Sequence, residues 1–173
     1  MQNADLLQTI AEVAVAFVGF ASLAGIVGIR PIEEPSELQS GRLRGMVQAG
    51  LMVIAFCFVP FVFDRFGVPE SWVWRFSSTG LAVAGIGLAR FGLKLSRLVP
   101  AAEIETVRHR SRAVAITTVA AVVLLSAAAA GLLHERVAAA YLAGLLAFLF
   151  LAGFLFAGVV SSYFVTKRGG QGE

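Results

Sequence analysis

Five long apolar runs divide the chain, and they restrict its possible folds more than any other feature does. The runs cover about residues 6–29, 43–63, 72–93, 113–133 and 137–165. Each has roughly the 20 apolar residues that a helix needs to cross the hydrocarbon of a bilayer. The runs are apolar on all sides of the helix, and they are too long and too rich in alanine for strands. The sequence therefore predicts an all-α, polytopic membrane protein, a bundle of five transmembrane helices.

The composition supports a membrane protein and excludes several other classes. Hydrophobic residues make up 58% of the 173 residues, charged residues only 14%, and the mean hydropathy is +0.82. A soluble domain of this length has too little interior to bury so much apolar surface. A soluble enzyme, a disordered chain and a disulfide-rich secreted module are therefore excluded. Cys57 is the single cysteine, so one chain can form neither a disulfide nor a thiolate metal cluster.

The segments between the runs are short, and none of them can form a core of its own. We therefore expect residues 1–173 to form a single integral membrane domain. Ser36 and Gln39 have the S-x-x-Q spacing of a capping box, which indicates that the second helix begins in the aqueous phase. The first run is not preceded by a basic segment, so we expect a retained helix and not a signal peptide.

Lysine and arginine are distributed unequally between the two ends of the predicted bundle. Ten of them would lie on the side that holds the C-terminus, and at most three on the other side. Because positive residues collect on the cytoplasmic side, we expect a protein of the cell inner membrane with its N-terminus outside and its C-terminus in the cytoplasm. Arg108, Arg110 and Arg112 are expected to set this topology. Arg90 and Lys94 are expected to snorkel to the inner interface, or to contact anionic lipid headgroups there.

The basic residues are spread over short connectors and form no large patch, so we expect no nucleic-acid partner. Trp72 and Trp74 open the third run at the predicted outer interface, where amphipathic rings collect, with packing in the core as the alternative.

Pro60 lies inside the second run, where it frees a backbone carbonyl and kinks the helix. Pairs of small residues four positions apart, which favour close helix packing in lipid, are Ala21 and Gly25, Ala24 and Gly28, Ala140 and Gly144, and Gly153 and Ala157.

Glu12 is the strongest candidate for a functional residue. It lies in the first run at a depth of roughly 9 Å at 1.5 Å per residue. A carboxylate at such a depth must be paired, protonated or in contact with water. Gln8 lies on the same helix face, and Thr9 is adjacent. The face continues with mostly small residues, which could line a pore or form a helix–helix contact, namely Val15, Ala16, Gly19 and Leu23.

Arg75 offers Glu12 a partner, because it lies in the third run at a similar depth from the same side. An ion pair between the two residues would neutralise both charges. Ser77, Ser78 and Thr79 follow Arg75 and could satisfy the remaining donors and acceptors. Three interpretations stay open: a structural ion pair, an ion or proton pathway at Glu12, and a shallow, solvated Glu12.

Known enzyme motifs are missing from the sequence, including G-x-S-x-G, H-E-x-x-H, the Walker A loop and G-x-G-x-x-G after a strand. His109 and His134 flank the fourth run, and a helix would separate them by roughly 37 Å, too far to share a metal or a haem. We therefore expect no enzymatic activity, no metal and no cofactor. Two functions remain. The first is a homo-oligomeric ion-conducting or transport protein with Glu12 near the pathway. The second is a non-conducting accessory or assembly subunit of a larger membrane complex.

Overall fold

Five helices make up the part of the chain that the structure, a computed structural model, describes: residues 4–28, 37–96, 104–133 and 136–169. Each helix contains a segment long and apolar enough to cross a membrane. The number of helices predicted from the apolar runs is therefore confirmed. In chain order, they are α1 (Ala4–Gly28), α2 (Glu37–Arg65), α3 (Glu70–Ser96), α4 (Ile104–Ala129) and α5 (Val137–Gly169).

The helices differ from the apolar runs mainly at their ends. α2 begins at Glu37 and α4 at Ile104, earlier than the predicted residues 43 and 113, because polar residues continue both helices beyond their apolar segments. Ser36, the first residue of the predicted capping box, lies outside the described residues. α4 also ends earlier than predicted, at Ala129, although the apolar run continues to residue 133.

α2 and α4 end in the same way, at a glycine with a positive φ. The φ angles are 74° at Gly67 and 77° at Gly131. A residue with a β-carbon is strained in this region, whereas glycine is not. This arrangement is the Schellman motif, which satisfies carbonyls in the last helical turn and stops the helix. Its hydrogen bonds run from Gly67 N to Asp64 O and from Val68 N to Phe63 O, and from Gly131 N to Ala128 O and from Leu132 N to Ala127 O.

α5 occupies the centre of the bundle. Helices α1 to α4 pack in an arc as successive neighbours, and each of them also contacts α5. Half of the apolar span of α5 is buried, compared with between 22% and 33% of the other four spans. Tyr141, Leu145 and Phe148 of α5 are among the largest fully buried side chains. Side chains of α5 therefore fill the axis of the bundle.

Glycines permit the closest approaches between helices. A β-carbon at Gly144 of α5 would stand 2.8 Å from the Leu125 side chain of α4, and one at Gly85 of α3 would stand 2.5 Å from the Phe148 ring. Gly50 of α2 packs directly against Val18 of α1. Gly144 belongs to one of the small-residue pairs, so that pair does lie at a helix–helix contact.

A proline inside α2 leaves one backbone carbonyl without its helical partner. Pro60 has no N–H, so the carbonyl of Phe56, four residues earlier, cannot accept its usual hydrogen bond. The hydroxyl of Tyr141 donates to this carbonyl from α5. The Tyr141 ring packs against Trp74 of α3 with 5.7 Å between ring centroids. Trp74 is thus a buried core residue, whereas Trp72 is 48% exposed. One side chain satisfies the carbonyl and joins α2, α3 and α5.

We expect Tyr141→Phe to lower the free energy of unfolding by about 1–3 kcal/mol, because a buried carbonyl would lose its hydrogen-bond partner. The loss should be smaller in a Pro60→Ala background, where the alanine N–H can restore the helical bond to Phe56. Unfolding in mixed micelles by added dodecyl sulfate, measured for both single variants and the double variant, gives the coupling energy. Equal losses in the two backgrounds would contradict this role of Tyr141.

Candidate functional site

One face of α1 is covered by the rest of the chain, and the other is not. Leu7 and Ala14 are fully buried, on a helix that packs against α2 and α5. The polar side chains Gln8, Thr9 and Glu12 are exposed. The space around Gly19 is also open, since no described group outside the adjoining backbone of α1 lies within 4 Å of the position that its β-carbon would take. The remaining residues predicted on this face are exposed as well: Val15, Ala16 and Leu23.

Glu12 lies near the middle of the apolar span of α1, Ala4–Leu23. Its distance from the first residue of the helix is roughly 12 Å at 1.5 Å per residue. This exceeds the predicted depth because α1 begins at Ala4, before the apolar run. Glu12 Oε1 accepts a hydrogen bond of 3.0 Å from Gln8 Nε2, one turn earlier. The Thr9 hydroxyl instead donates to the carbonyl of Asp5 at 2.9 Å. The polar unit at this site therefore consists of Gln8 and Glu12.

Arg75 is directed toward α4 and not toward Glu12. Its guanidinium carbon lies 5.5 Å from the centre of the Trp72 ring. A β-carbon on Gly131 would stand 2.5 Å from Nη2 of Arg75. Gly131 follows the last turn of α4, where the carbonyl end of the helix dipole favours a cation. Arg75 is therefore stabilised by an aromatic ring and by the end of a helix.

The predicted ion pair between Glu12 and Arg75 does not form in the described part of the structure, where the two side chains have other partners. The reason is the helix arrangement, because α1 packs on α2 and α5 while α3 carries Arg75 beside α4. The sequence indicates similar depths for the two residues, but depth alone does not determine which neighbour a side chain meets.

The hydroxyl residues after Arg75 do not complete a polar cluster with Glu12 either. Ser77 and Ser78 are fully buried, and among the described residues neither hydroxyl has a hydrogen-bond partner. The Thr79 hydroxyl donates to the carbonyl of Arg75 at 2.9 Å. The predicted cluster is therefore divided between an exposed polar unit on α1 and separate polar residues on α3.

Basic side chains are exposed at the end of the bundle where α3 finishes and α4 begins, which we call the Lys94 end. Arg90 and Lys94 lie in the last turns of α3, and both are exposed. Arg112 of α4 is exposed as well. Arg108 and Arg110 belong to α4 by sequence, and their side chains lie outside the described residues. Exposed cations at the end of an apolar bundle are suited to contact with water or lipid headgroups.

A groove of about 610 Å³ lies between α1 and α2, and Glu12 is part of its lining. Its position follows from the register in which Val18 of α1 packs on Gly50 of α2, which is why the sequence alone did not reveal it. The described part of the lining is apolar except for Gln8, Glu12 and the thiol of Cys57. The described lining residues are Ala4, Leu7, Gln8, Ala11, Glu12, Val15, Ile54, Cys57, Phe58 and Phe61.

Within residues 4–28, 37–96, 104–133 and 136–169, no three His, Cys, Asp or Glu side chains are placed to hold a metal ion. Glu12 therefore acts in the described structure as a single carboxylate with one amide neighbour. His134 is not among the described residues.

No protein-family model, no curated protein and no solved structure matches the chain. Its function is therefore inferred from the arrangement of its side chains.

We expect Gly131→Ala to destabilise the protein more than Gly67→Ala, although both glycines have a positive φ and end a helix in the same way. Left-handed backbone costs an alanine about 1–2 kcal/mol at either position. Only at Gly131 would the new methyl group also push the Arg75 guanidinium away from the end of α4, since no described group lies within 4 Å at Gly67.

The thermal unfolding midpoints of the two variants in detergent provide the measurement. We expect Gly131→Ala to lower the midpoint more than Gly67→Ala does, and this difference should disappear in an Arg75→Ala background, where the guanidinium is missing. A difference between the two variants that persists without Arg75 would show that contact with Arg75 is not its cause.

Proposed function

We propose that the chain forms a homo-oligomer in the cell inner membrane and conducts or transports a cation along a path lined by α1. Glu12 would select or relay the cation within this path. The observation that carries the proposal is an exposed carboxylate in the middle of an apolar helix. This carboxylate lies on a face of α1 that the described part of the chain leaves uncovered.

The position of Glu12 favours association of several copies. A charged side chain that faces hydrocarbon costs about 3 kcal/mol or more. Such residues therefore commonly face a water-filled cavity or a partner. Gln8 is the only described side chain that hydrogen-bonds to Glu12. Contact between the α1 faces of neighbouring copies would remove the carboxylate from lipid. Ala16 and Gly19 continue this face and would let two helices approach closely.

The centre of the bundle supports a path between copies and not through one copy. Tyr141, Leu145 and Phe148 of α5 are fully buried at the bundle axis. With α5 packed at the centre of the other four helices, little room is left for a cation and its hydration shell. A symmetric ring of copies can instead enclose a path along its own axis. In such a ring, the exposed polar unit of α1 would line that path.

The charge distribution supports the proposed orientation. Arg90, Lys94 and Arg112 are exposed at the Lys94 end. By the positive-inside preference, this end would face the cytoplasm. The beginning of α1 would then lie on the outer side, and a cation entering from outside would meet Gln8 and Glu12 before it crossed the apolar half of α1.

We expect Glu12→Gln to abolish cation flux into liposomes while it leaves the mass of the detergent-solubilised particle unchanged. The substitution removes the charge but keeps a side chain that can accept the hydrogen bond from Gln8. Asp64→Asn is the matched control, because Asp64 is also an exposed acid but lies at the end of α2. Flux that survives in Glu12→Gln, or is lost equally in Asp64→Asn, would refute a path at Glu12.

We expect Gly19→Phe to dissociate the oligomer, because a large side chain on the exposed face of α1 would separate neighbouring copies. The substitution should not disturb one copy, since the space at Gly19 is open. Gly87→Phe is the control: the space at Gly87 of α3 is equally open, but it lies away from α1. Mass measurement in detergent distinguishes the variants. A wild-type protein that is monomeric and conducts no ion would instead support the accessory-subunit function.

A further inference from the structure

The groove between α1 and α2 has the size of a small-molecule site. Its volume of about 610 Å³ lies within the range of roughly 300–1,000 Å³ that ligand pockets occupy. Leu7, Ala11 and Cys57 are buried and belong to the side of the groove nearest the bundle core. Phe58 is 56% exposed in its lining. The part of an occupant that lies in the groove would therefore contact mainly phenyl and aliphatic side chains.

The lining does not suit a small inorganic cation. Such an ion gives up water only where several oxygen atoms replace it, because an unpaired charge in an apolar site is strongly disfavoured. Among the described residues of the lining, only Gln8 and Glu12 have oxygen-bearing side chains. Glu12 Oε1 already accepts a hydrogen bond from Gln8. The hydration free energy that an inorganic cation loses at this position would exceed the free energy that it gains from contacts with the groove.

The same lining suits a cation that carries its own apolar surface. Apolar substituents keep such a cation weakly hydrated, so it loses little on leaving water. The rings of Phe58 and Phe61 offer aromatic faces that attract positive charge. The carboxylate of Glu12 provides the opposite charge. A lipid headgroup is a poorer partner for Glu12, because this residue lies roughly 12 Å along α1, below the level of the headgroups.

We propose that this groove binds an organic cation with aromatic or alkyl substituents. The charge of the ligand lies against the Glu12 carboxylate, and its apolar groups lie along Phe58 and Phe61. This ligand class is also the substrate class of the proposed cation path, and in that respect the assignment rests on the proposed function. Binding itself involves one copy of the chain and can be measured without transport.

Two ions of the same size and shape but opposite charge test the assignment: tetraphenylphosphonium and tetraphenylborate. Their binding to the full-length protein in detergent is measured by isothermal titration calorimetry. We expect the wild type to bind the phosphonium and not the borate. Glu12→Gln should weaken phosphonium binding by about tenfold or more, because the opposite charge is lost in a low-dielectric site.

Phe58→Ala provides a second variant that does not touch the charge. It should weaken phosphonium binding severalfold, whereas Phe20→Ala should leave it unchanged. Phe20 is also an exposed phenylalanine, 61% exposed on α1, but it does not line the groove. Thermal unfolding midpoints equal to that of the wild type show that both variants are folded. Equal binding of the two ions overturns the proposal, as does phosphonium binding that Phe58→Ala leaves intact.

The outcomes also separate this inference from the proposed function. Charge-selective binding by a protein that forms no oligomer and shows no flux supports the groove site and refutes the transport path. Flux that depends on Glu12, in a protein that binds no phosphonium, supports the path and refutes the groove site.

Discussion

The hydrogen bond from the Tyr141 hydroxyl to the Phe56 carbonyl links α2 to α5, the central helix that every other helix contacts. Pro60 leaves that carbonyl without a partner in α2, and the interior of a bilayer contains no water to supply one. Together with the packing between the two helices, the bond restrains the rotation and height of α2 against α5. Because a helix is rigid over a turn, it also restrains the direction of Cys57 and Phe58, the next two residues. Both of them line the groove beside α1.

Glu12 of α1 and Arg75 of α3 illustrate two ways in which a charged side chain is accommodated within an apolar helical span. Arg75 has partners within its own chain, the Trp72 ring and the end of α4 at Gly131. Among the described residues, Glu12 is hydrogen-bonded by Gln8 alone, and it lies on a face that these residues leave uncovered. A charge that the fold stabilises contributes to structure. A charge that the fold leaves exposed requires something outside the fold, and this difference makes Glu12 the candidate functional residue.

Much of the architecture could be predicted from the sequence, because hydropathy depends on composition along the chain. It indicated five helices and the position of Glu12 within α1. The early end of α4 was missed, since a Schellman motif at Gly131 stops the helix inside an apolar run. The Glu12–Arg75 ion pair, one of the three interpretations left open by the sequence, does not form among the described residues, because the direction in which a side chain leaves its helix relative to neighbouring helices does not follow from its depth. Tyr141 was also missed, although the free carbonyl that Pro60 creates was a signal to look for a buried hydroxyl.

The central position of the last helix affects the order in which the protein can be made. The ribosome synthesises α1 to α4 before α5, and domains begin to fold during synthesis. Before α5 is synthesised, the arc of α1 to α4 lacks its central helix, and the Phe56 carbonyl lacks its hydrogen-bond donor, Tyr141. The earlier helices therefore reach their final packing only near the end of translation. A chain interrupted before Tyr141 would leave an incomplete shell that quality-control proteases could recognise.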